Sequence, residues 1–366
     1  MLRAAFTTKP TEGGRRWRRL FLLLGGVVLL YGLLAPLTSL DALQSAGFPL
    51  LADKLWFRIA TATAMFVVLA SAWNLVGGLT GYAAFGNVAF FGIGAYTCGM
   101  LISRAHWPLF LALPLAPLAS AAFAALVGVP LLRLRGHYFA VASLGVGVAV
   151  GEVIQNVEYR GTPVFGGSTG LFLPIFSVDN RDLVFYFLMV GAAALTIGVT
   201  WLVLRSRFGY GLIAIRENEE AAAVMGVNTT AYKVAAFALA AALTGLAGGI
   251  FAQWNVFINQ ENVFPIEYNV QMILMALVGG AGTLFGPLAG AVFLYMLIQF
   301  LSGSLPVSLD LPFLPSDARP VLAQVILGLL LLVTVIFVPR GVIDFFGGQS
   351  RLSLAYLRRS LRETSV

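Results

Sequence analysis

Residues 205–233 read RSRFGYGLIAIRENEEAAAVMGVNTTAYK, the longest strongly polar run in the middle of an otherwise apolar chain. Apolar stretches long enough to span a membrane flank the run on both sides. Inside it, Asn218 can cap a short helix, and Glu219 and Glu220 favour the first turn of that helix. Gly226 can end the helix in a left-handed conformation. The pattern predicts a short helix outside the lipid, between two membrane spans.

The predicted helix has one small apolar face. Ala221, Val224 and Met225 follow one another at i, i+3 and i+4, so they share one side of the helix. The segment is too charged to enter lipid, and an apolar face kept in water suits a groove on a partner protein. A solvated loop that only ties two spans together is the alternative interpretation.

Composition independently indicates a membrane protein. Hydrophobic residues make up 59% of the chain, charged residues only 11%, and the mean hydropathy is +0.89. A soluble domain carries about a quarter charged residues. The single cysteine, Cys98, excludes an intramolecular disulfide and a multi-thiolate metal site. The net charge of +7 comes mostly from the predicted span ends, so it does not indicate nucleic acid as a partner.

We predict an all-α polytopic bundle of about ten membrane segments, at about 20 residues for a full span. The spacings Gly147-x3-Gly151 and Gly245-x3-Gly249 predict close helix approach. The glycine-rich stretch 77–96 predicts tight helix contact or a broken backbone buried in protein. The predicted spans are residues 20–34, 59–76, a segment ending near 103, 109–132, 137–156, 183–204, 234–254 and 321–338, with two short helices within 269–301.

The two short helices follow from counting membrane crossings, because a chain segment between two loops on the same side must cross the membrane and return. If both termini and residues 205–233 lie inside, loops 255–268 and 303–319 lie outside, and the 33 residues 269–301 must enter and return. That is too few for two spans of about 20 residues each. The break falls at VGGAGTLFGPLAGA, residues 278–291, where glycines recur every four residues and a proline interrupts the helix. The predicted hinge residues are Gly282, Gly286, Pro287 and Gly290.

The same topology satisfies the positive-inside rule, because 17 of the 23 Lys and Arg residues fall inside. We therefore predict a cytoplasmic extension at 1–19, a transmembrane domain at 20–340 and a cytoplasmic tail at 341–366. The loop at 205–233 is then cytoplasmic. A secretory or twin-arginine signal is the alternative for the N-terminal arginines, but no small-x-small cleavage site follows at a suitable place.

The sequence lacks the motifs typical of an enzyme active site. It contains no G-x4-G-K-[ST] phosphate loop and no G-x-S-x-G nucleophile elbow. His106 and His137 stand apart at span ends, without the spacing of metal ligands. We expect no enzymatic activity, no metal and no cofactor bound by this chain itself.

Glu152 is the one acid predicted well inside a membrane segment, where a carboxylate is costly and usually faces a cavity or a partner group. Gln155 at i+3 and Asn156 at i+4 extend it into a polar stripe near the outer end of the fifth span. The stripe either lines a substrate pathway or hydrogen-bonds a neighbouring helix end. The same two interpretations, pathway or helix packing, apply to the intramembrane amides Asn74, Asn87 and Gln253.

Glu220-Ala221-Ala222 followed by Gly226 resembles the EAA-x3-G loop through which ABC-transporter permeases couple to their ATPases. The longer string AIRENEEAAAVMGVN resembles the branched-chain amino acid permeases of the LivM type. AFFGIGAYT, RGHYFAVASL, GGSTGL, VGGAGTLFGPLAGA and IFVPRGV resemble further landmarks of that family. Together these motifs extend the resemblance over residues 69–342.

The resemblance implies a permease subunit of an ABC importer for branched-chain or other amino acids, in a bacterial inner membrane. It implies a second, LivH-like permease, two cytoplasmic ATPase subunits that hold ATP and Mg²⁺, and a periplasmic substrate-binding protein. The residues that it assigns to ATPase coupling are Glu217, Glu220, Ala221, Ala222 and Gly226.

Two departures from the family pattern leave the ligand open. Asn87 stands where many relatives have a histidine, and Ser143-Leu144 stands where relatives often have Thr-Leu. A permease of a urea or short-amide importer is the alternative within the ABC class. A secondary transporter is the alternative outside the ABC class. It would need ion-coordinating groups at the midplane of the membrane, and Glu152 is the only candidate in the sequence.

Overall fold

A computed structural model describes residues 54–159, 162–176 and 181–302, together with Val325, Gly328 and Leu329. The predicted first span at 20–34, the N-terminal extension and the C-terminal tail lie outside the described residues, as does most of the predicted last span. The helices are α1 Lys54–Thr80, α2 Val88–Ser103, α3 Leu109–Ala112, α4 Leu115–Leu131, α5 His137–Asn156, α6 Arg181–Arg205, α7 Arg207–Glu217, α8 Glu219–Val224, α9 Thr229–Asn255, α10 Gln260–Val263, α11 Ile266–Gly279 and α12 Gly286–Leu301.

Two small antiparallel ladders qualify the all-α prediction. Strand β1, Glu158–Tyr159, pairs with β2, Thr162–Pro163. Strand β3, Leu171–Phe172, pairs with β4, Phe257–Ile258. Each strand has two residues, so the ladders tie loops together and leave the bundle helical.

Five helices in the described part of the chain are long and apolar enough to cross a membrane. They coincide with the predicted spans at 59–76, 109–132, 137–156, 183–204 and 234–254, and are Phe57–Thr80, Leu109–Leu131, His137–Asn156, Arg181–Arg205 and Thr229–Asn255. Helices α2 and α12 are apolar but shorter, at 16 residues each. The predicted multi-pass helical membrane fold is therefore confirmed over the described residues.

Helix α9 lies at the centre of the bundle and contacts α1, α2, α4 and α6. Small residues allow its backbone to approach the neighbouring helices closely. A Cβ on Gly248 would overlap the Phe91 carbonyl oxygen of α2, and one on Gly245 would overlap the Ser120 side chain of α4. Ser120 Oγ in turn donates a hydrogen bond to the Phe90 carbonyl oxygen at 2.9 Å. The close approach that the glycine spacing in α9 predicted is thus present.

Hydrogen bonds sort the described loops into two groups at opposite ends of the bundle. One end, the α8 end, brings together the loop 81–87, residues 132–135, α7 with α8, and the turn 280–285. The other end joins Ser103 to Phe172, β3 to β4, and α5 to α10. The loop 205–233, predicted inside, contributes to the first end, and the loop 255–268, predicted outside, contributes to the other.

The segment 269–301 contains the predicted pair of short helices. Helix α11 has 14 residues and α12 has 16, joined by the turn 280–285. At 1.5 Å per residue they are about 21 and 24 Å long, short of the roughly 30 Å hydrocarbon core. Gly282, at φ +81°, lies in the turn, and Gly290 of α12 packs on the Met275 carbonyl of α11.

Pro287 corrects one detail of that prediction. It does not interrupt a helix, because it lies in the first turn of α12, directly after Gly286. A helix begins with unpaired N–H groups, so the missing N–H of a proline costs nothing at this position. The break therefore comes from the glycine turn before α12.

Replacing Gly248 with alanine should destabilise the bundle, because the new methyl group would be forced against the α2 backbone. We expect a loss of about 1–3 kcal/mol of stability, typical of overpacking. Gly191→Ala in α6 is the matched control, since nothing lies within 4 Å of its added Cβ. Thermal unfolding of both purified variants in mild detergent measures the difference. Equal midpoints would refute the close packing of α9 on α2.

Candidate functional site

Helix α8 has the caps that the sequence predicted. Asn218 Oδ1 accepts a hydrogen bond from the Ala221 backbone N–H at 3.0 Å, which caps the N-terminus. Gly226 has φ +87°, and the Val227 N–H donates to the Ala222 carbonyl at 3.0 Å, which closes the C-terminus. The short helix and its left-handed end are therefore confirmed.

The predicted apolar face of α8 is exposed. Val224 and Met225 are 87% and 83% exposed, and Ala221 is exposed beside them. These two large apolar side chains lie at the polar end of the bundle. No described residue covers the surface that they form. Glu217 and Glu220 are exposed as well, whereas Ala222 is buried and faces the bundle. Of the five residues assigned to coupling, Ala222 alone is buried.

Helix α7 was not predicted, because its residues lie within the polar run 205–233. Ser206 caps it, accepting a hydrogen bond from the Gly209 N–H at 3.2 Å. Near its end, Arg216 Nη1 donates to the Gly78 carbonyl of α1 at 2.8 Å. The same guanidinium lies against Gly282, where a Cβ would overlap it. Arg216 thus joins the segment before α8 to α1 and to the turn 280–285.

A buried ion pair fixes α8 to the bundle. Lys233 Nζ donates to Glu219 Oε1 at 2.7 Å, to Tyr82 Oη at 3.1 Å and to the Leu132 carbonyl at 3.1 Å. Tyr82 Oη in turn donates to Glu219 Oε2 at 2.5 Å. Lys233 is 4% exposed and is the one buried charged side chain among the residues whose burial is described. We call Lys233, Glu219, Tyr82 and the Leu132 carbonyl the Lys233 anchor.

The electrostatics of the Lys233 anchor keep Glu219 charged and Tyr82 neutral. Burial alone would raise the pKa of the Glu219 carboxyl, but the hydrogen bonds and charge of Lys233, with the Tyr82 hydroxyl, lower that pKa below its ordinary value. Burial and the neighbouring carboxylate raise the pKa of Tyr82. At neutral pH the tyrosine hydroxyl therefore keeps its proton and donates a hydrogen bond to an ionised glutamate.

Glu220, the next residue along, makes a different kind of ion pair. Its Oε1 lies 3.0 Å from Arg135 Nη1, with side chains that are 64% exposed for Arg135 and 78% for Glu220. Exposed pairs contribute about 0–1 kcal/mol because water competes for both charges. The two adjacent glutamates of α8 therefore differ in role: Glu219 holds the helix, and Glu220 lies on its surface.

The three predicted intramembrane amides are buried at separate places. Both ends of the Asn74 amide bond to the turn 280–285: Oδ1 accepts from the Gly282 N–H at 2.6 Å, and Nδ2 donates to the Thr283 carbonyl at 2.9 Å. Gln253 Nε2 donates to the Pro174 carbonyl at 2.8 Å. Each of these contacts joins a helix to the backbone of a loop, and Gln253 Oε1 has no partner among the described residues.

Asn87 is also fully buried, and neither polar atom of its amide has a partner among the described residues. It precedes α2, whose first N–H, that of Val88, donates to Asn269 Oδ1 of α11 at 3.0 Å. None of the three amides is exposed, and none is hydrogen-bonded to Glu152.

Glu152 is exposed on the surface of α5, and its carboxylate accepts hydrogen bonds from two side-chain amides. Asn156 Nδ2 donates to Oε2 at 3.2 Å, as the predicted stripe implied, and Gln260 Nε2 of α10 donates to Oε1 at 3.0 Å. Gln155 is half-buried beside them. Gln260 was not predicted, because nothing local in the polar segment 255–268 indicates that it folds back on α5.

A family model described as the permease component of a branched-chain amino acid transport system matches residues 55–335. The chain belongs to this family. The match covers most of the chain and confirms the resemblance seen in the motifs. The family is one of membrane-spanning permeases, in agreement with the apolar helices of the bundle.

Individual proteins with permease names are also similar to this chain. The permease is 30% identical over 278 residues to the high-affinity branched-chain amino acid transport system permease protein LivM of Salmonella typhimurium, covering 68% of this chain and 64% of the relative. It is 28% identical to LivM of Escherichia coli over the same shares. The autoinducer 2 import system permease protein LsrC of Salmonella typhi is 30% identical over 131 residues, 35% of each chain. The permease thus spans about 64% of the length of the LivM proteins it matches.

Among solved structures, an inward-facing metal-chelate type ABC transporter matches with a TM-score of 0.42 and 15% identity. The match covers 85% of this chain and 99% of that one.

Changing Glu219 to glutamine should destabilise the permease far more than the same change at Glu220. Glu219→Gln leaves the buried Lys233 cation without its carboxylate, a loss of about 3–5 kcal/mol. Glu220→Gln removes an exposed pair and should cost about 0–1 kcal/mol. Thermal unfolding in detergent compares the two. Similar midpoints would contradict the Lys233 anchor.

Proposed function

We propose that this chain is the membrane-spanning permease subunit of an ATP-driven importer for branched-chain amino acids in a bacterial inner membrane, with both termini in the cytoplasm. The observation that carries the proposal is the exposed apolar face of α8, held outside the membrane spans by the Lys233 anchor. Membership of the permease family and the names of the LivM relatives support the ligand class.

The α8 face is the docking site for the ATPase subunits. Val224 and Met225 fit an apolar groove, and the exposed acids Glu217 and Glu220 flank them. Two cytoplasmic ATPases bind ATP and Mg²⁺, since this chain has no phosphate-binding loop. A second, LivH-like permease completes the membrane part, and a periplasmic binding protein delivers the ligand.

The substrate pathway passes the outer end of α5. Glu152 and Asn156 are exposed on the otherwise apolar surface of α5, with the half-buried Gln260 of α10 bonded to Glu152, and such a polar group is costly against lipid. A carboxylate there can accept a hydrogen bond from the α-amino group of an amino acid. The second permease shields the group from lipid and forms the other wall of the pathway.

Transport follows from movement of α8. When ATP closes the two ATPase subunits, they pull α8 inward, and the bundle rocks until the pathway opens outward to receive ligand. Hydrolysis then resets the bundle. The proposed hinge is the turn 280–285 with Gly282, together with Gly286 at the start of α12, because α11 and α12 meet there without a continuous helix.

Co-expression with the genomic neighbours of this gene tests the assembly. Two ATPase subunits and a second permease should co-purify in mild detergent, and Val224→Glu should release the ATPases by placing a charge in an apolar groove. Thr230→Gln, also exposed at the α8 end, is the control. Transport by the chain alone in liposomes, without ATP, would overturn the proposal in favour of a secondary transporter.

The shape of α8 can be tested through Gly226. An L-residue at its left-handed conformation costs about 1–2 kcal/mol, and asparagine tolerates it best. Nothing lies within 4 Å of an added Cβ, so the effect is conformational and not a clash. Gly226→Val should weaken ATPase co-purification strongly and Gly226→Asn slightly. Equal recovery with both variants would argue against docking through the end of α8.

Uptake assays of Glu152→Gln test the pathway. Removing the charge should lower the uptake rate of a branched-chain amino acid about tenfold, the effect of losing a hydrogen bond to a charged group. ATPase co-purification should not change, since Glu152 lies at the end opposite α8. Glu158→Gln, an exposed acid at the same end, is the control. Unchanged uptake would leave Glu152 as a helix-end contact.

A further inference from the structure

The loop 81–87, between α1 and α2, contacts both the α8 helix and helix α5. On one side, Tyr82 Oη donates to Glu219 of α8 and accepts from Lys233 of α9. On the other side, the Tyr82 ring packs edge-on against Phe139 of α5, with ring centroids 5.3 Å apart. Phe139 is fully buried in the first turn of that helix. One side chain therefore touches the docking helix and the first turn of α5.

The backbone of the same loop rests directly on α5. Ser143 Oγ accepts a hydrogen bond from the Phe85 N–H at 3.0 Å. A Cβ on Gly86 would overlap the Ser143 carbonyl oxygen, and one on Gly147 would lie 3.4 Å from the Gly86 Cα. Backbone pressed on backbone leaves no flexible side chain to absorb a displacement. The loop and the first half of α5 must therefore move together.

A hydrogen bond from α1 also holds the middle of the loop. Trp73 Nε1 of α1 donates to the Ala84 carbonyl at 2.8 Å, in the middle of the loop. Ala84 and Gly86 are buried. From Ser143, α5 continues without a break to Glu152, nine residues further on and about 14 Å along the helix.

We propose that the loop 81–87 transmits the movement of α8 to the Glu152 surface of α5, with Tyr82 as the positioning residue. The proposal rests on the proposed function, in which α8 docks the ATPases. A displacement of α8 carries Glu219 and Tyr82 with it, and the loop pushes on Ser143 and Gly147. Helix α5 then shifts as a rigid rod, and Glu152 shifts with it. A second link, the exposed Arg135–Glu220 pair beside the start of α5, is weak by comparison.

Two variants interrupt this route at different points. Tyr82→Phe removes the hydroxyl that bonds α8 and keeps the ring on Phe139. Ser143→Ala removes the acceptor of the Phe85 N–H on α5. Tyr232→Phe is the matched control, because its ring packs on Phe208 of α7 at the same end of the bundle, outside the loop. If Tyr82→Phe fails to fold, Ser143→Ala alone tests the route.

The assay uses the whole complex, reconstituted with its ATPases, second permease and binding protein. It measures ATPase co-purification and the amount of amino acid taken up per ATP hydrolysed. With Tyr82→Phe and with Ser143→Ala, we expect the ATPases to remain bound and the uptake per ATP to fall about fivefold or more, in the range of allosteric coupling. The double variant should be no worse than the worse single variant, because the two contacts lie in series.

The outcomes separate the two proposals. A wild-type chain that neither recovers ATPases nor shows ATP-driven uptake overturns the proposed function. A functional wild-type complex whose uptake per ATP is unchanged in both variants overturns the role of the loop. Release of the ATPases by Tyr82→Phe also overturns it, because Tyr82 would then only support the shape of α8. Additive losses in the double variant show two independent effects and contradict transmission in series.

Discussion

The architecture depends on backbone-to-backbone contact along α9. Lipid tails are as apolar as the side chains of the bundle, so burying apolar surface gives little drive for helices to associate within a membrane. Close packing must supply that drive. At Gly245 and Gly248 the absence of a side chain lets α9 touch α4 and α2 directly. Helices α1 and α6 also pack on α9, so four helices of the bundle take their positions against it.

At the α8 end, the constraint changes from packing to charge. Lys233 lies in the first turns of α9, where water cannot reach it, and a buried cation is tolerated only with partners. Its partners come from α8, from the loop 81–87 and from the end of α4. One buried charge therefore fixes three elements around it. The outward presentation of Val224 and Met225 follows, because α8 cannot rotate without leaving that cation unpaired.

Most of the fold could be predicted from the sequence, and much less of the site. The five long spans and the caps of α8 depend on local patterns, so composition and short-range chemistry suffice. The Lys233 anchor could not be predicted, because Tyr82 lies 151 residues from Lys233 and no spacing rule joins them. For the same reason Glu219 and Glu220 looked alike in sequence. The contacts of Asn74 could not be predicted either, because its partners in the turn 280–285 lie more than 200 residues away in the sequence.

The order of the chain adds a consequence for how the protein is made. Helix α9 occupies the middle of the bundle, yet α1 to α6 leave the ribosome before it. The donor to the Leu132 carbonyl, Lys233, is synthesised 101 residues after Leu132. Until then α1 can pack on α6 and α2 on α4, but the helix that contacts all four of them is missing. Assembly is therefore completed late, when the arrival of one glycine-rich helix lets the earlier ones close around it.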